Sequence, residues 1–362
     1  YFSLLILIFV NIFFYRIGEH GNDKSAQILI FLLVIEILIF LDQSKFDKKL
    51  LSKVYLLIGL IVSLKAFYIF YSLFVLILIF KILKKKKLTE GILFFIKNVY
   101  FLPLVIFFTL VVGSYFLNTG CLIYPVSFTC FENFSWALNK LEVIEVNNWY
   151  EQWSKAGAGP DYRVENPLEY ISYFNWVGNW VDKYFFNKVS DFLLGIFMLL
   201  LIVNIFLFSS QKKKINFPKI RLLIFFLLLL LFEWFYNHPT LRYGGYCIIV
   251  SIIFLFFAIR LNKYKLDKNK LIKRINALIL ITIVIFLGRN LNRIINEVEF
   301  YSYKPIKNVN YMIREEYFDI PELVNNKITN YNLCNLKNQN CKNEGKLKIK
   351  KYFNNYILYL EK

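Results

Sequence analysis

The run FLLGIFMLLLIVNIFLF, Phe192–Phe208, decides the fold: it carries no charge, and Asn204 is its one amide. Two more runs follow it, LLIFFLLLLLFEWFY (Leu222–Tyr236) and CIIVSIIFLFFAI (Cys247–Ile259). Between them stand Lys212-Lys213-Lys214 and the lysine-rich stretch Arg260–Arg274. A water-soluble domain cannot hide this much unbroken apolar sequence, whereas a bilayer can. The chain reads as all-α, a polytopic transmembrane helix bundle whose function belongs to the water-facing segments.

Applied outward from these runs, the rule of ~20 residues per span gives about nine membrane segments, at 1–15, 28–41, 50–64, 66–83, 99–117, 192–208, 222–236, 247–259 and 275–288. The short ones imply snorkelling lysine ends or partly re-entrant helices. One long helix over 50–83 would bury Lys65 at its centre, so two helices meeting at Lys65 are expected. The organisation that follows is 1–117, membrane segments with a short outer loop 16–27; 118–191, a large outer loop; 192–288, further membrane segments; and 289–362, a small polar outer region. The chain opens at Tyr1 inside an apolar run, with no charged leader or small-residue cleavage site, and reads as a fragment whose earlier part is missing.

The 362 residues are 57% hydrophobic and 19% aromatic, with a net charge of +19. That charge does not signal a nucleic-acid partner. It is concentrated in short loops beside apolar runs, as the positive-inside rule expects, and the abundance of Lys, Ile, Asn and Phe has the look of AT-rich codon usage. Segments 84–98, 209–221 and 260–274 therefore read as cytoplasmic. In 118–191 the acids outnumber the bases, and this segment, with 16–27, 237–246 and 289–362, reads as outside. Cys121 and Cys130, and Cys334 and Cys341, form two close pairs in the two largest outer regions, where oxidation is permitted, so two disulfides are expected. His20 and His238 are the only histidines, which argues against a zinc site.

Four stretches carry candidate chemistry. In Arg16–Gln27 two carboxylates, a histidine and a lysine fall within a few residues. Glu19 or Asp23 suits a general base or a metal ligand, with Lys24 or Arg16 holding a phosphate; a solvated turn over Gly21-Asn22, with Asp23 capping the next helix, is the plain alternative. Asn118–Cys130, with Gly120, Tyr124 and Pro125, suits the rim of a substrate cleft or a structural staple. Trp149–Arg163, followed by Trp176 and Trp180, suits sugar stacking, and equally a helix lying in the membrane interface. In Asn237–Tyr246, Arg242 beside a membrane end suits the grip of a lipid phosphate, with Glu233 of the preceding segment as its expected ion-pair partner. There is no glycine-rich nucleotide loop, no Ser-x-Gly nucleophile elbow and no paired CxxC in the sequence.

Tyr15–Leu29 resembles the Arg…Glu-aromatic-Gly-x-Asp…Gln-Ile-Leu segment of a family of uncharacterised polytopic bacterial inner-membrane proteins found in surface-polysaccharide loci, with His20 at the aromatic position. Gly120–Cys130 is similar to the family's Gly-x-Leu-x-Tyr-Pro…Thr-Cys segment, with Cys121 a local variation, and Pro239–Gly244 to its Pro…Arg-Tyr-Gly turn. The resemblance covers most of residues 1–260. It implies a distant relation to GT-C glycosyltransferases, which transfer sugar from a polyprenyl-phosphate donor at the outer membrane face. On that reading the chain is a multi-pass protein of the bacterial inner membrane that serves cell-envelope glycan assembly. Arg242, His238, Tyr243, Lys24, Arg16 and Tyr124 would bind the lipid phosphate or substrate, and Glu19 and Asp23 would be the acid/base candidates. A divalent cation is compatible with these residues, though no set of them compels one. In GT-C glycosyltransferases the catalytic acid lies on the first outer loop of the whole protein, a loop that a carboxy-terminal fragment lacks. A polysaccharide polymerase, a transporter or flippase, and a non-catalytic membrane scaffold are the competing expectations.

Overall fold

A computed structural model describes residues 1–16, 21–43, 48–84, 89–90, 93, 96–97, 101–134, 136–159, 164, 166–209, 220–264, 267–301, 346–352 and 355–361. The chain divides into two compact units, Tyr1–Asn290 and Leu291–Lys362.

The first unit is helical. Its helices are α1 (Phe2–Phe13), α2 (Asp23–Asp42), α3 (Lys48–Leu64), a 3-10 turn (Ala66–Leu73) running into α4 (Phe74–Leu83), α5 (Phe101–Thr119), α6 (Lys140–Lys155), α7 (Pro167–Ile171), α8 (Val177–Leu207), α9 (Arg221–Asn237), α10 (Gly245–Asn262) and α11 (Lys268–Tyr301), within which the division between units falls. Among the described residues five helices are long and apolar enough to cross a membrane: α2, α5, α8, α10 and α11. The protein is thus a multi-pass helical membrane protein. The other expected segments appear as shorter helices.

Several boundaries differ from the hydropathy reading. Helix α2 begins at Asp23 rather than at 28, so the link before it is shorter than the expected 16–27. Helix α8 begins at Val177, with a π-helical stretch over Val181–Val189, so the large loop ends well before 191. Hydropathy placed these starts too late because the first turns carry polar and aromatic side chains that tertiary partners accommodate. At Lys65 the chain is extended (φ −158°, ψ 114°), and α3 ends at Leu64, so the helix does break at that charge. At the end of α9, His238 leaves the helix (φ −141°, ψ 71°), as a residue before proline must.

Aromatic packing joins the bundle. The Phe9 ring lies 5.6 Å from Phe31, 6.2 Å from Phe192 and 6.0 Å from Phe254, tying α1 to α2, α8 and α10. Edge-to-face geometry of this kind adds to simple burial. Helix α10 touches α1, α2, α8 and α9, and so sits at the centre. Helix α5 packs on α3 and has no buried residue, leaving Leu110 and Leu117 outward, as a lipid-facing helix does.

The two ends of the bundle are chemically different. At one end the start of α2, Lys65, α6 and the α9–α10 turn meet. At the other, the Lys81 ammonium caps the end of α2, donating to the carbonyls of Phe40, Leu41 (3.1 Å) and Gln43 (2.8 Å). There too Arg274 donates to the carbonyls of Phe206 (3.0 Å) and Phe208 (3.1 Å). The second unit contains a two-stranded antiparallel hairpin, β1 (Lys346–Tyr352) with β2 (Asn355–Glu361), in register from Lys346 opposite Glu361 to Tyr352 opposite Asn355. The tail's polar composition had not announced strands. Cys334 and Cys341 lie outside the described residues.

Candidate functional site

Three charges far apart in sequence meet where α2 begins. Asp23, its first residue, accepts from the Lys65 ammonium on Oδ1 and from the Arg242 Nε on Oδ2. Both carboxylate oxygens are engaged, and the group carries one net positive charge. The side chains of Asp23 and Lys65 are 11% and 24% exposed, whereas Arg242 is 58% exposed. Such a pairing is weak evidence of stability, because desolvation offsets the attraction. What it does is hold two cations side by side, one of them open to solvent.

The turn carrying Arg242 is held by the bundle around it. Gln27, one turn into α2 and 1% exposed, donates to the Arg242 carbonyl (2.9 Å) and accepts from the Cys247 amide (3.2 Å). The Trp180 indole donates to the Pro239 carbonyl (2.8 Å) and the Trp234 indole to the Thr240 carbonyl (2.7 Å). The Leu241 amide donates to the Tyr184 hydroxyl (2.9 Å). Trp180 and Tyr184 come from the start of α8, whose π-helical turn is of the kind often found at functional sites. Gly244 has φ +106°, and an added Cβ would meet Tyr68 at 3.2 Å and the Tyr71 hydroxyl at 3.3 Å. Only glycine fits such a position without strain. The guanidinium therefore projects from a rigid base.

An aromatic wall flanks the cations. The Lys65 ammonium lies 4.5 Å from the Tyr243 ring centre, a cation–π contact. Around Tyr243 stand His238 (5.8 Å), Trp153 (5.9 Å) and Phe67 (6.0 Å). Ser154 Oγ lies 3.4 Å from His238 Nδ1, docking α6 onto the turn. Burial, with the charges of Lys155 and Lys65 adding to it, lowers the His238 pKa to about 4, so the imidazole is neutral at physiological pH. Burial raises the Tyr243 phenol to about 12. Burial also lowers the Lys65 ammonium from its usual value, against the pull of its Asp23 hydrogen bond. Lys155, fully buried, is satisfied by Glu151 (2.5 Å) and the Ile171 carbonyl (2.9 Å), and lies between the Trp176 and Tyr236 rings, each 5.2 Å away.

Of the residues expected from sequence, Asp23, Arg242, His238 and Tyr243 come together here. Lys24, in the first turn of α2, donates to the Arg16 carbonyl on the adjacent loop at 3.4 Å. Tyr124 sits on the loop closed by the Cys121–Cys130 disulfide, which is formed. Glu19 and His20 lie outside the described residues. The expected Glu233–Arg242 pair is absent: the Glu233 carboxylate accepts from Asn237 (3.1 Å), and Arg242 turns to Asp23. The helical spacing of 233 and 237 brings that amide within reach, while the turn directs Arg242 toward α2. Sequence reading missed Lys65 and Gln27 as members of the site. A lysine interrupting an apolar run was the available signal, since a charge there needs a partner. Among the described residues no three His, Cys, Asp or Glu side chains are grouped so as to hold a metal ion.

Residues 1–249 match the family described as "Domain of unknown function (DUF8201)". The matched region contains Asp23, Lys65, Arg242 and the disulfide loop. Neither a curated protein nor a solved structure matches the chain.

Proposed function

The chain belongs to the DUF8201 family, and we propose that it serves cell-envelope glycan assembly, binding a polyprenyl-phosphate-linked sugar at the outer leaflet of the bacterial inner membrane. The observation that carries this reading is the pair Lys65–Arg242 on one carboxylate, with net charge +1 and the Arg242 head more than half exposed where membrane helices end. A guanidinium with unused planar donors suits a phosphate at a lipid headgroup. The loop resemblances described above supply the sugar part of the reading, with GT-C-like transfer as the reaction. The cluster's own end of the bundle is shared by α6 and the disulfide loop, while Lys81 and Arg274 mark the opposite end. With the lysine-rich segments kept in the cytoplasm, the cluster and the segment 118–176 face outward.

In this scheme Arg242 and Lys65 hold the phosphate oxygens. Asp23 keeps the two cations aligned; with both its oxygens engaged it is a positioning residue, and Glu19 is the acid/base candidate. His238 contributes a neutral, packed wall and Tyr243 the surface beside the phosphate.

The test uses the purified chain in lipid nanodiscs. Binding of polyprenyl phosphate is compared with that of the uncharged polyprenol by native mass spectrometry. The phosphate lipid should bind at least ~10-fold tighter, and Arg242→Gln should remove most of that preference, as loss of a charge-assisted contact implies. Equal binding of the two lipids would end the reading. Incorporation of labelled sugar from the lipid donor, with and without a chelator, then tests transfer and any need for a divalent cation.

A further inference from the structure

The loop that follows α5 folds back onto the helix it leaves. The Phe131 amide donates to the Gly120 carbonyl (2.9 Å) and the Leu138 amide to the Thr119 carbonyl (3.0 Å), so Phe131 and Leu138 both lie beside the end of α5. The Cys121–Cys130 disulfide closes the loop between Gly120 and Phe131. Gly120, at φ +76°, makes the reversal, and an added Cβ there would meet Ala137. The Trp136 indole N–H donates to the Phe116 carbonyl (3.3 Å), in the last turn of α5. Three rings from the loop gather on the Phe116 ring: Phe134 at 5.2 Å, Phe131 at 6.1 Å and Trp136 at 6.3 Å. Phe134 and Trp136 stack on one another at 4.7 Å.

The loop that builds this cluster does not bury it. Phe131 is 47% and Trp136 46% exposed, and Phe134 is exposed with them. Glu132 is the sole charged residue between Cys121 and Asn139, and its carboxylate accepts from the Lys140 amide (2.7 Å) at the start of α6. The apolar surface continues past the loop. Along α5, Phe108, Thr109, Val112, Gly113, Phe116 and Leu122 line a hollow of about 390 Å³. Phe116 belongs to both the ring cluster and the hollow, and Leu122 comes from the disulfide loop. Helix α5 is long and apolar enough to cross a membrane and has no buried residue. The loop's rings and the open side of a membrane helix are therefore one surface.

We propose that the aromatic face Phe131–Phe134–Trp136 is a membrane-docking surface, and that its occupant is the phospholipid of the leaflet at the charged cluster's end of the bundle. The boundary between headgroup and acyl chain lies at Trp136, and an acyl chain runs along the hollow. Continuity with α5 names the occupant. A spanning helix with no buried residue is covered by lipid, and rings seated on its last turn share that cover. The last turn lies at the depth of the interface, where indoles concentrate because an apolar ring and a polar N–H are both accommodated there. Facing water, the same rings would form an exposed apolar patch with nothing to cover it. The proposal stands apart from the phosphate site. Its consequence reaches that site through α6, which packs on the turn Ser127–Thr129 of the loop and docks Ser154 on His238. A loop fixed at the interface thereby sets the height of α6, and of the turn it touches, above the bilayer.

The test places the full chain in phosphatidylcholine nanodiscs whose acyl chains carry bromine either near the headgroup or near the chain end, with iodide as the quencher in water. The difference between wild type and Trp136→Phe isolates this indole among the six tryptophans. Bromine near the headgroup should quench it about twofold more than bromine near the chain end, and iodide should scarcely quench it. Phe134→Trp on the Trp136→Phe background returns an indole to the same cluster and should restore the pattern, which controls for a misfolded variant. Gly113→Trp on that background puts an indole in the hollow, where an added Cβ meets nothing within 4 Å. It lies about 4.5 Å further from the helix end than Phe116 and should respond more to the chain-end bromine than Trp136 does. Quenching of Trp136 by iodide and by neither brominated lipid would put the loop in water and overturn the proposal. Stronger quenching of Trp136 by the chain-end bromine would overturn the interfacial depth. Protection of both positions from all three quenchers would mean that protein, such as a second copy of the chain, covers the face, and the proposal would fall.

Discussion

Asp23→Asn should separate the two cations it holds, with unequal consequences. Asparagine keeps the shape and one acceptor but sets a neutral amide against two positive charges. Removing one partner of a fully buried ion pair costs ~3–5 kcal/mol, and an exposed pair contributes ~0–1 kcal/mol. Lys65 at 24% exposure falls nearer the first case and Arg242 at 58% belongs to the second. The Lys65 contact is therefore expected to account for about 2 kcal/mol and the Arg242 contact for under ~1 kcal/mol, once solvent screening is allowed for. The summed loss should lower the apparent melting temperature in detergent by about 5 °C, read by tryptophan fluorescence. Double-mutant cycles sharpen the claim. Asp23→Asn with Lys65→Gln should show coupling of about 2 kcal/mol, and Asp23→Asn with Arg242→Gln less than half of that. An unchanged melting temperature, or stronger coupling to Arg242 than to Lys65, would refute the account of which cation the carboxylate organises.

Three further outcomes are expected. Gly245→Ala places a Cβ 2.5 Å from the Trp234 ring and should sharply reduce the yield of folded protein, whereas Gly113→Ala, with nothing within 4 Å, should leave melting unchanged or raise it slightly; size-exclusion profiles in detergent compare them. His238 has its pKa lowered in the folded chain from 6.5 to about 4, so the unfolded chain binds more protons in that window. Stability is complete above pH ~6.5 and falls as the pH drops toward 4, by at most about 3 kcal/mol; pH-dependent melting of the wild type against His238→Gln tests this, and the variant should lose that component of the slope. Under non-reducing conditions an alkylating reagent should leave Cys121 and Cys130 unlabelled, and Cys121→Ser with Cys130→Ser should make the loop between them markedly more sensitive to protease.

The fold class was legible because a bilayer demands long apolar runs whatever their partners, and 192–208, 222–236 and 247–259 supply them. The break at Lys65 was legible for a related reason: a charge amid apolar sequence forces the chain to stop or to find a counter-ion. The first disulfide followed from close spacing in a polar segment. The start of α2 was legible only as the alternative in which Asp23 caps a helix, and the start of α8 was not legible, because the polar and aromatic turns before 190 look like loop until their tertiary partners are known. Nor was the hairpin at Lys346–Glu361, which lies in a tail read only as polar.

Sequence by itself determined that this protein lives among lipids, roughly where its apolar segments fall, and that Asp23 and Arg242 deserve scrutiny, since each of these depends on local composition. Tertiary structure alone decided that Asp23 takes both Lys65 and Arg242 while Glu233 takes Asn237, and that α6 brings Trp153 and Ser154 onto the same turn. Charges separated by 42 and 219 residues are matched by the packing of α2, α3 and α10. No local pattern encodes such a match, because a carboxylate is satisfied by whichever cations the folded bundle delivers to it.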